Sequence, residues 1–132
     1  MAPPFFGADL LPPQQQTLIS EAVFTGVGLH SGHRSRVVVA PAPPDYGLVF
    51  HAEGKEIPAL AEYVGDTTRC STLVSGDTVI HTVEHLLAAL YALGIDNAEI
   101  RIEGNELPAM DGSALPFAEG LLAAGVRQQG RP

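Results

Sequence analysis

The segment Thr82 to Leu93 constrains this chain most, because it carries clear helical periodicity and is bracketed by stretches that alternate like strands. Val83, Leu86, Leu87 and Leu90 recur at helical spacing, Ala88 and Ala89 permit close packing, and Gly94 follows as a C-terminal cap. Upstream, a first strand is predicted from Gln15 to Phe24, a second from Arg34 to Ala40 and a third from Leu48 to His51. Ile57 to Val64 is mixed and predicts little regular structure. Thr67 to Val74 then turns at Ser75-Gly76-Asp77 and returns through Thr78-Val79-Ile80 as a hairpin. Beyond the helix, Ala98, Ile100 and Ile102 alternate with Glu99, Arg101 and Glu103 as a half-buried strand. Ser113 is placed to N-cap a second helix, with Pro116 tolerated in its first turn and Gly125 near its end. Strands, helix, strand, helix is the order of an α+β two-layer sandwich: a mixed, mostly antiparallel sheet with two helices on one face.

The 132 residues suffice for one domain with one core, and a hydrophobic content of 45% excludes a disordered chain. Residues 1–13 hold four prolines and no lysine or arginine, which predicts a flexible extension ahead of a single domain over 14–132 and excludes a secretory signal there. Leu86 to Leu93 is too short to span a bilayer, so no transmembrane segment is expected. A net charge of −8 with scattered basic residues argues against a nucleic-acid partner; Arg34 and Arg36 share one face of a strand, as a solvated pair would. Cys70 is the single cysteine, which forbids an internal disulfide and favours a cytoplasmic location.

Chemistry concentrates at Thr82-Val83-Glu84-His85-Leu86, where an acid and an imidazole are neighbours in the first helical turn. Successive helical residues point about 100° apart, so the two side chains flank a point in space instead of stacking. An imidazole there can bind a metal while the carboxylate reaches a water beside it. One histidine does not hold catalytic zinc, which takes about three protein ligands and keeps one position open. His81, four residues earlier, sits at the strand–helix junction as a capping or supporting group. Taken alone, Glu84-His85 is equally an acidic first-turn residue complementing the helix dipole beside a surface histidine. Gly26-Val27-Gly28-Leu29-His30-Ser31-Gly32 permits tight turns but lacks the spacing of a dinucleotide or phosphate-loop fingerprint.

Ile80-His81-Thr82-Val83-Glu84-His85-Leu86-Leu87-Ala88-Ala89-Leu90 resembles the signature helix of the LpxC family, the UDP-3-O-acyl-N-acetylglucosamine deacetylases. The resemblance continues through Leu93-Gly94-Ile95-Asp96-Asn97 and through Glu106-Leu107-Pro108-Ala109-Met110-Asp111-Gly112-Ser113-Ala114. Upstream it takes in Gly26 to Gly32, Pro41-Ala42-Pro43, and Asp66 to Val74, which is similar to the segment lining the mouth of the family's active site.

The resemblance implies a zinc-dependent amide hydrolase of lipid A biosynthesis, built from two domains of similar topology with the site between their helical layers. It makes Glu84 the general base and His85 a zinc ligand, with Cys70, Asp111 and His30 as candidate substrate-binding residues. In the family the remaining zinc ligands, the acid on the product side and the acyl-chain tunnel belong to a second domain, and this sequence matches the N-terminal one. The chain is therefore expected to be half of a deacetylase. It would act on UDP-3-O-acyl-N-acetylglucosamine only when a second domain, a separate second-half polypeptide or a second copy completes the Zn2+ site. The alternative is a stand-alone, catalytically inactive domain serving as an interaction module or homodimer.

Overall fold

The computed structural model describes residues 13–65 and 71–132; the extension expected over 1–13 lies, apart from Pro13, outside them. Five strands form the main sheet: β2 (Ala22–Val27), β3 (Arg34–Pro41), β4 (Leu48–Ala52), β5 (Lys55–Pro58) and β8 (Ala98–Glu103), in the order β2-β3-β8-β4-β5. β4 and β8 run parallel and the other neighbours antiparallel, so the sheet is mixed and mostly antiparallel.

Register explains which face is covered. Ala22, Val39, Ile100, Phe50 and Ile57 stand opposite one another across all five strands, and Phe24, Val37 and Ile102 form the next row. All eight belong to one buried core. The row on the opposite face reads Val23, Val38, Arg101, His51 and Glu56. There Arg101 bridges Glu21 at 2.8 Å and Glu99 at 3.0 Å, exposed pairs of the kind that add about 0–1 kcal/mol each. The period of two thus gathers these eight apolar residues on one side, and that side recruits the helices.

Helices α1 (Glu84–Ala92) and α2 (Leu115–Ala124) pack together over this apolar face. α1 buries Leu86, Ala89 and Leu90; α2 buries Phe117 and Leu121. Phe117 meets Phe24 of β2 edge-on, with ring centroids 4.9 Å apart and planes at 61°. Gly120 permits the approach, because a methyl group there would stand 2.4 Å from the Phe24 ring. α1 ends as expected at Gly94, where φ is 69°. The N–H of Gly94 bonds the carbonyl of Tyr91 and that of Ile95 bonds Leu90, with Leu90 and Ile95 both in the core, a Schellman termination.

Several boundaries differ from the sequence reading for identifiable reasons. The first strand is two: β1 (Gln16–Leu18) leaves the main sheet to pair with β9 (Val126–Gln128). The break falls at Ile19-Ser20, where the Ile19 N–H bonds the Gly125 carbonyl and the Ser20 hydroxyl bonds the Ala124 carbonyl at the end of α2. Ordered structure reaches into the stretch from Ile57 to Val64: β5 is an edge strand of the sheet, folded back on β4 through Glu53-Gly54 at φ 53° and 75°. A 3-10 turn follows at Ala61–Tyr63. The hairpin is present as β6 (Thr72–Ser75) and β7 (Thr78–His81). Helix α1 starts two residues later than Thr82, which sits at φ 62°, a conformation no α-helix admits. Ala114 takes the N-cap position of α2; Ser113, one residue earlier, accepts the Leu115 N–H at 3.3 Å. Among the described residues no helix is long and apolar enough to cross a membrane.

Candidate functional site

The site forms where β7 gives way to α1. His81 ends the strand, its N–H bonded to the Asn105 carbonyl at 2.8 Å and its own carbonyl accepting the Leu107 N–H at 3.1 Å, so its backbone brackets Glu106. Thr82 turns the chain and Val83 opens the helix. Ser71 then holds the first turn from the side: its carbonyl accepts the Val83 N–H at 3.1 Å and its N–H donates to Glu84 Oε1 at 3.2 Å. Glu84 and His85 are consequently adjacent, half-buried and at the open end of α1.

The other candidates separate. Asp111 is exposed; the Ser113 hydroxyl donates to its Oδ1 at 2.6 Å and the Ser113 N–H at 2.8 Å. These bonds, the hydroxyl's foremost, hold the Asp111 carboxyl below the usual carboxylate range, and the charge of His85 acts in the same direction. His30 contributes backbone, not ring: its N–H donates to Glu106 at 3.0 Å while its side chain is exposed. Cys70 lies outside the described residues.

The group that sequence reasoning missed is Glu106. It is 3% exposed, yet carries a charge. Its Oε1 accepts the Ser31 N–H at 2.8 Å, and its Oε2 accepts the His30 N–H at 3.0 Å and the Thr82 hydroxyl at 2.9 Å. Its backbone carbonyl accepts the Ser35 hydroxyl. Burial alone would raise its pKa; the N–H groups of Ser31 and His30 and the hydroxyls of Thr82 and Ser31 overcome that and bring it to about 2. Gly28 makes the space, since a methyl group there would lie 2.2 Å from Glu106 Oε1. The glycine-rich loop that sequence allowed to be a plain turn is thus a cradle for one carboxylate. Sequence alone offered no signal for that, because the partners are more than seventy residues apart on one side.

Chemically, the arrangement supplies a carboxylate able to accept a proton beside an imidazole able to donate a lone pair. Among the described residues no three His, Cys, Asp or Glu side chains converge as a metal-binding group, so His85 is an isolated ligand candidate here.

Comparison with known proteins agrees with the layout. The family described as LpxC, UDP-3-O-acyl N-acetylglycosamine deacetylase, matches residues 15–132. A UDP-3-O-acyl-N-acetylglucosamine deacetylase of Myxococcus xanthus (strain DK1622) is 50% identical over 122 residues, 89% of this chain and 39% of its own. That of Teredinibacter turnerae is 47% identical over 123 residues, 90% of this chain and 41% of its own. The bifunctional enzyme LpxC/FabZ of Chlorobaculum tepidum is 47% identical over 122 residues, 89% of this chain and 26% of its own. The chain thus spans well under half the length of these relatives.

Proposed function

The chain belongs to the family of UDP-3-O-acyl N-acetylglycosamine deacetylases, and on that footing we propose that it supplies one half of a zinc-dependent amide-hydrolase site of lipid A biosynthesis. The substrate is UDP-3-O-acyl-N-acetylglucosamine, whose acetamide is cleaved, and the setting is the cytoplasm. His85 is the metal ligand this half contributes. Zinc would polarise the acetamide carbonyl and ease deprotonation of water. Glu84 takes the proton of the attacking water as general base. The Ser71 N–H, donating to Glu84 Oε1, fixes one carboxylate oxygen. The remaining ligands and the acid for the leaving group come from a second domain, in the same or another polypeptide.

The observation that carries this reading is the adjacency of Glu84 and His85, half-buried in the opening turn of α1 with Glu84 tethered to Ser71. The test is acetate release from the substrate by this chain combined with the second half of a full-length relative, in the presence of zinc. Turnover is expected only from the combination, and is lost in Glu84→Gln and in His85→Ala. Unchanged turnover in both variants would refute the assignment.

A further inference from the structure

We propose that Glu106 is a positioning residue for the Glu84–His85 pair: through the Thr82 hydroxyl, its carboxylate holds the left-handed turn from which α1 begins. The functional consequence rests on the reading above; the structural claim does not.

The turn needs holding. Thr82 is β-branched and sits at φ 62°, where a side chain with two heavy atoms on Cβ is a genuine outlier. Such strain persists when the surroundings over-determine it. Here they do: Thr82 is 4% exposed, and its hydroxyl has a charged acceptor at 2.9 Å in Glu106 Oε2. The residue next in line, Val83, carries the N-cap backbone, and Glu84 and His85 follow at once. Any relaxation of Thr82 towards negative φ redirects the start of the helix and moves both side chains.

Glu106 is itself immobilised from three directions. The loop over residues 28–32 donates the His30 and Ser31 N–H groups to it, β3 donates the Ser35 hydroxyl to its carbonyl, and the backbone on either side bonds to His81. Gly28 is cut away to receive it. Three segments distant in sequence therefore fix Glu106 and its neighbours, and its carboxylate, held by the loop, also accepts the hydroxyl of the residue that aims the site. A carboxylate needed only to fill space or satisfy the loop would not require a partner at a strained position; the link to Thr82 is what gives the cradle a direction.

Amide hydrogen exchange on the full 132-residue chain separates positioning from general stability. The Leu87 N–H closes the first turn of α1 on the Val83 carbonyl, and the Leu93 N–H closes the last on Ala89. Thr82→Val replaces the hydroxyl with a methyl group and leaves the His30 and Ser31 N–H donors of the Glu106 cradle in place. It is expected to speed exchange at Leu87 about tenfold relative to Leu93 and to shift the ring resonances of His85. Glu106→Gln should do the same, and Thr82→Ser, which keeps the hydroxyl, should retain the native ratio. Equal acceleration at Leu87 and Leu93, or no change in either variant, overturns the proposal. In the reconstituted deacetylase Thr82→Val should lower kcat with KM little changed; native kcat would overturn the functional half. Absence of turnover in the unsubstituted protein would instead refute the deacetylase reading and leave the exchange result standing.

Discussion

The backbone of Gly28 lies so close to Glu106 that a methyl group on its α-carbon would stand 2.2 Å from Oε1 and 2.8 Å from the carboxyl carbon. Gly28 is buried and its φ is not in the left-handed region, so its role is room, not backbone freedom. Gly28→Ala should therefore destabilise the fold by roughly 1–3 kcal/mol, since the carboxylate cannot withdraw without surrendering bonds to Ser31, His30 and Thr82. Urea unfolding of the two proteins measures this; an alanine variant of native stability would contradict the packing described.

Acid should expose the same cradle. The Glu106 carboxyl titrates at about 2 in the folded chain, against an ordinary value of 4.5. A folded-state pKa below the unfolded one contributes stability that is complete above the unfolded value and is lost as pH falls through the folded one. The native chain should thus lose this contribution between 4.5 and about 2. Glu106→Gln should be less stable by roughly 2–3 kcal/mol near neutrality, with the gap closing across that acidic window. Denaturant titrations at a series of pH values give the difference directly. A gap that stays constant on acidification would show that the charge is not what the loop binds.

The sequence made the layers legible because local pattern and tertiary demand coincide there. Alternation in Ala98 to Glu103 and the valine run in Arg34 to Ala40 survive as strands of the sheet, and the stripe on α1 with Gly94 behind it fixes a helix and its end. Pairing was not legible. Nothing local tells Leu48–Ala52 to lie parallel to Ala98–Glu103, or Gln16–Leu18 to leave the main sheet for Val126–Gln128. The Glu84–His85 pair could be read as chemistry only from the words around it. Glu106 could not be read at all: it follows a strand of alternating charges, and its meaning comes from N–H groups contributed by a loop 75 and 76 positions away.

Helix α2 meets β2 through an aromatic contact. Phe117 is 1% exposed and Phe24 is 4% exposed, and the two rings join α2 to β2 at 4.9 Å. Phe117→Ala should cost about 3–5 kcal/mol, through lost burial and the cavity left over the sheet. Phe117→Leu, which keeps most of the volume, should cost markedly less. Thermal and chemical unfolding of both variants decide the order, and equal losses would mean that the helix is held mainly by Leu121 and its neighbours.

Glu84 should show the opposite balance, with little stability at stake and most of the activity. It is half-buried, sits in the first turn of α1, and its Oε1 accepts the Ser71 N–H at 3.2 Å. In Glu84→Gln the amide oxygen can still accept that N–H. What disappears is the interaction of a negative charge with the helix N-terminus, worth about 0.3–1 kcal/mol. If Glu84 is the general base, the same substitution should cut deacetylation by the reconstituted enzyme by about 10²–10⁴-fold, because an amide cannot take the proton from water. His85→Ala should also abolish turnover, but with a different signature: zinc retained by the reconstituted protein should fall in His85→Ala and stay native in Glu84→Gln. Zinc loss in both variants would make Glu84 a ligand and move the base to another residue. Loss of stability matching the loss of activity in Glu84→Gln would instead make the acid a helix-capping group, with its carboxylate committed to the fold.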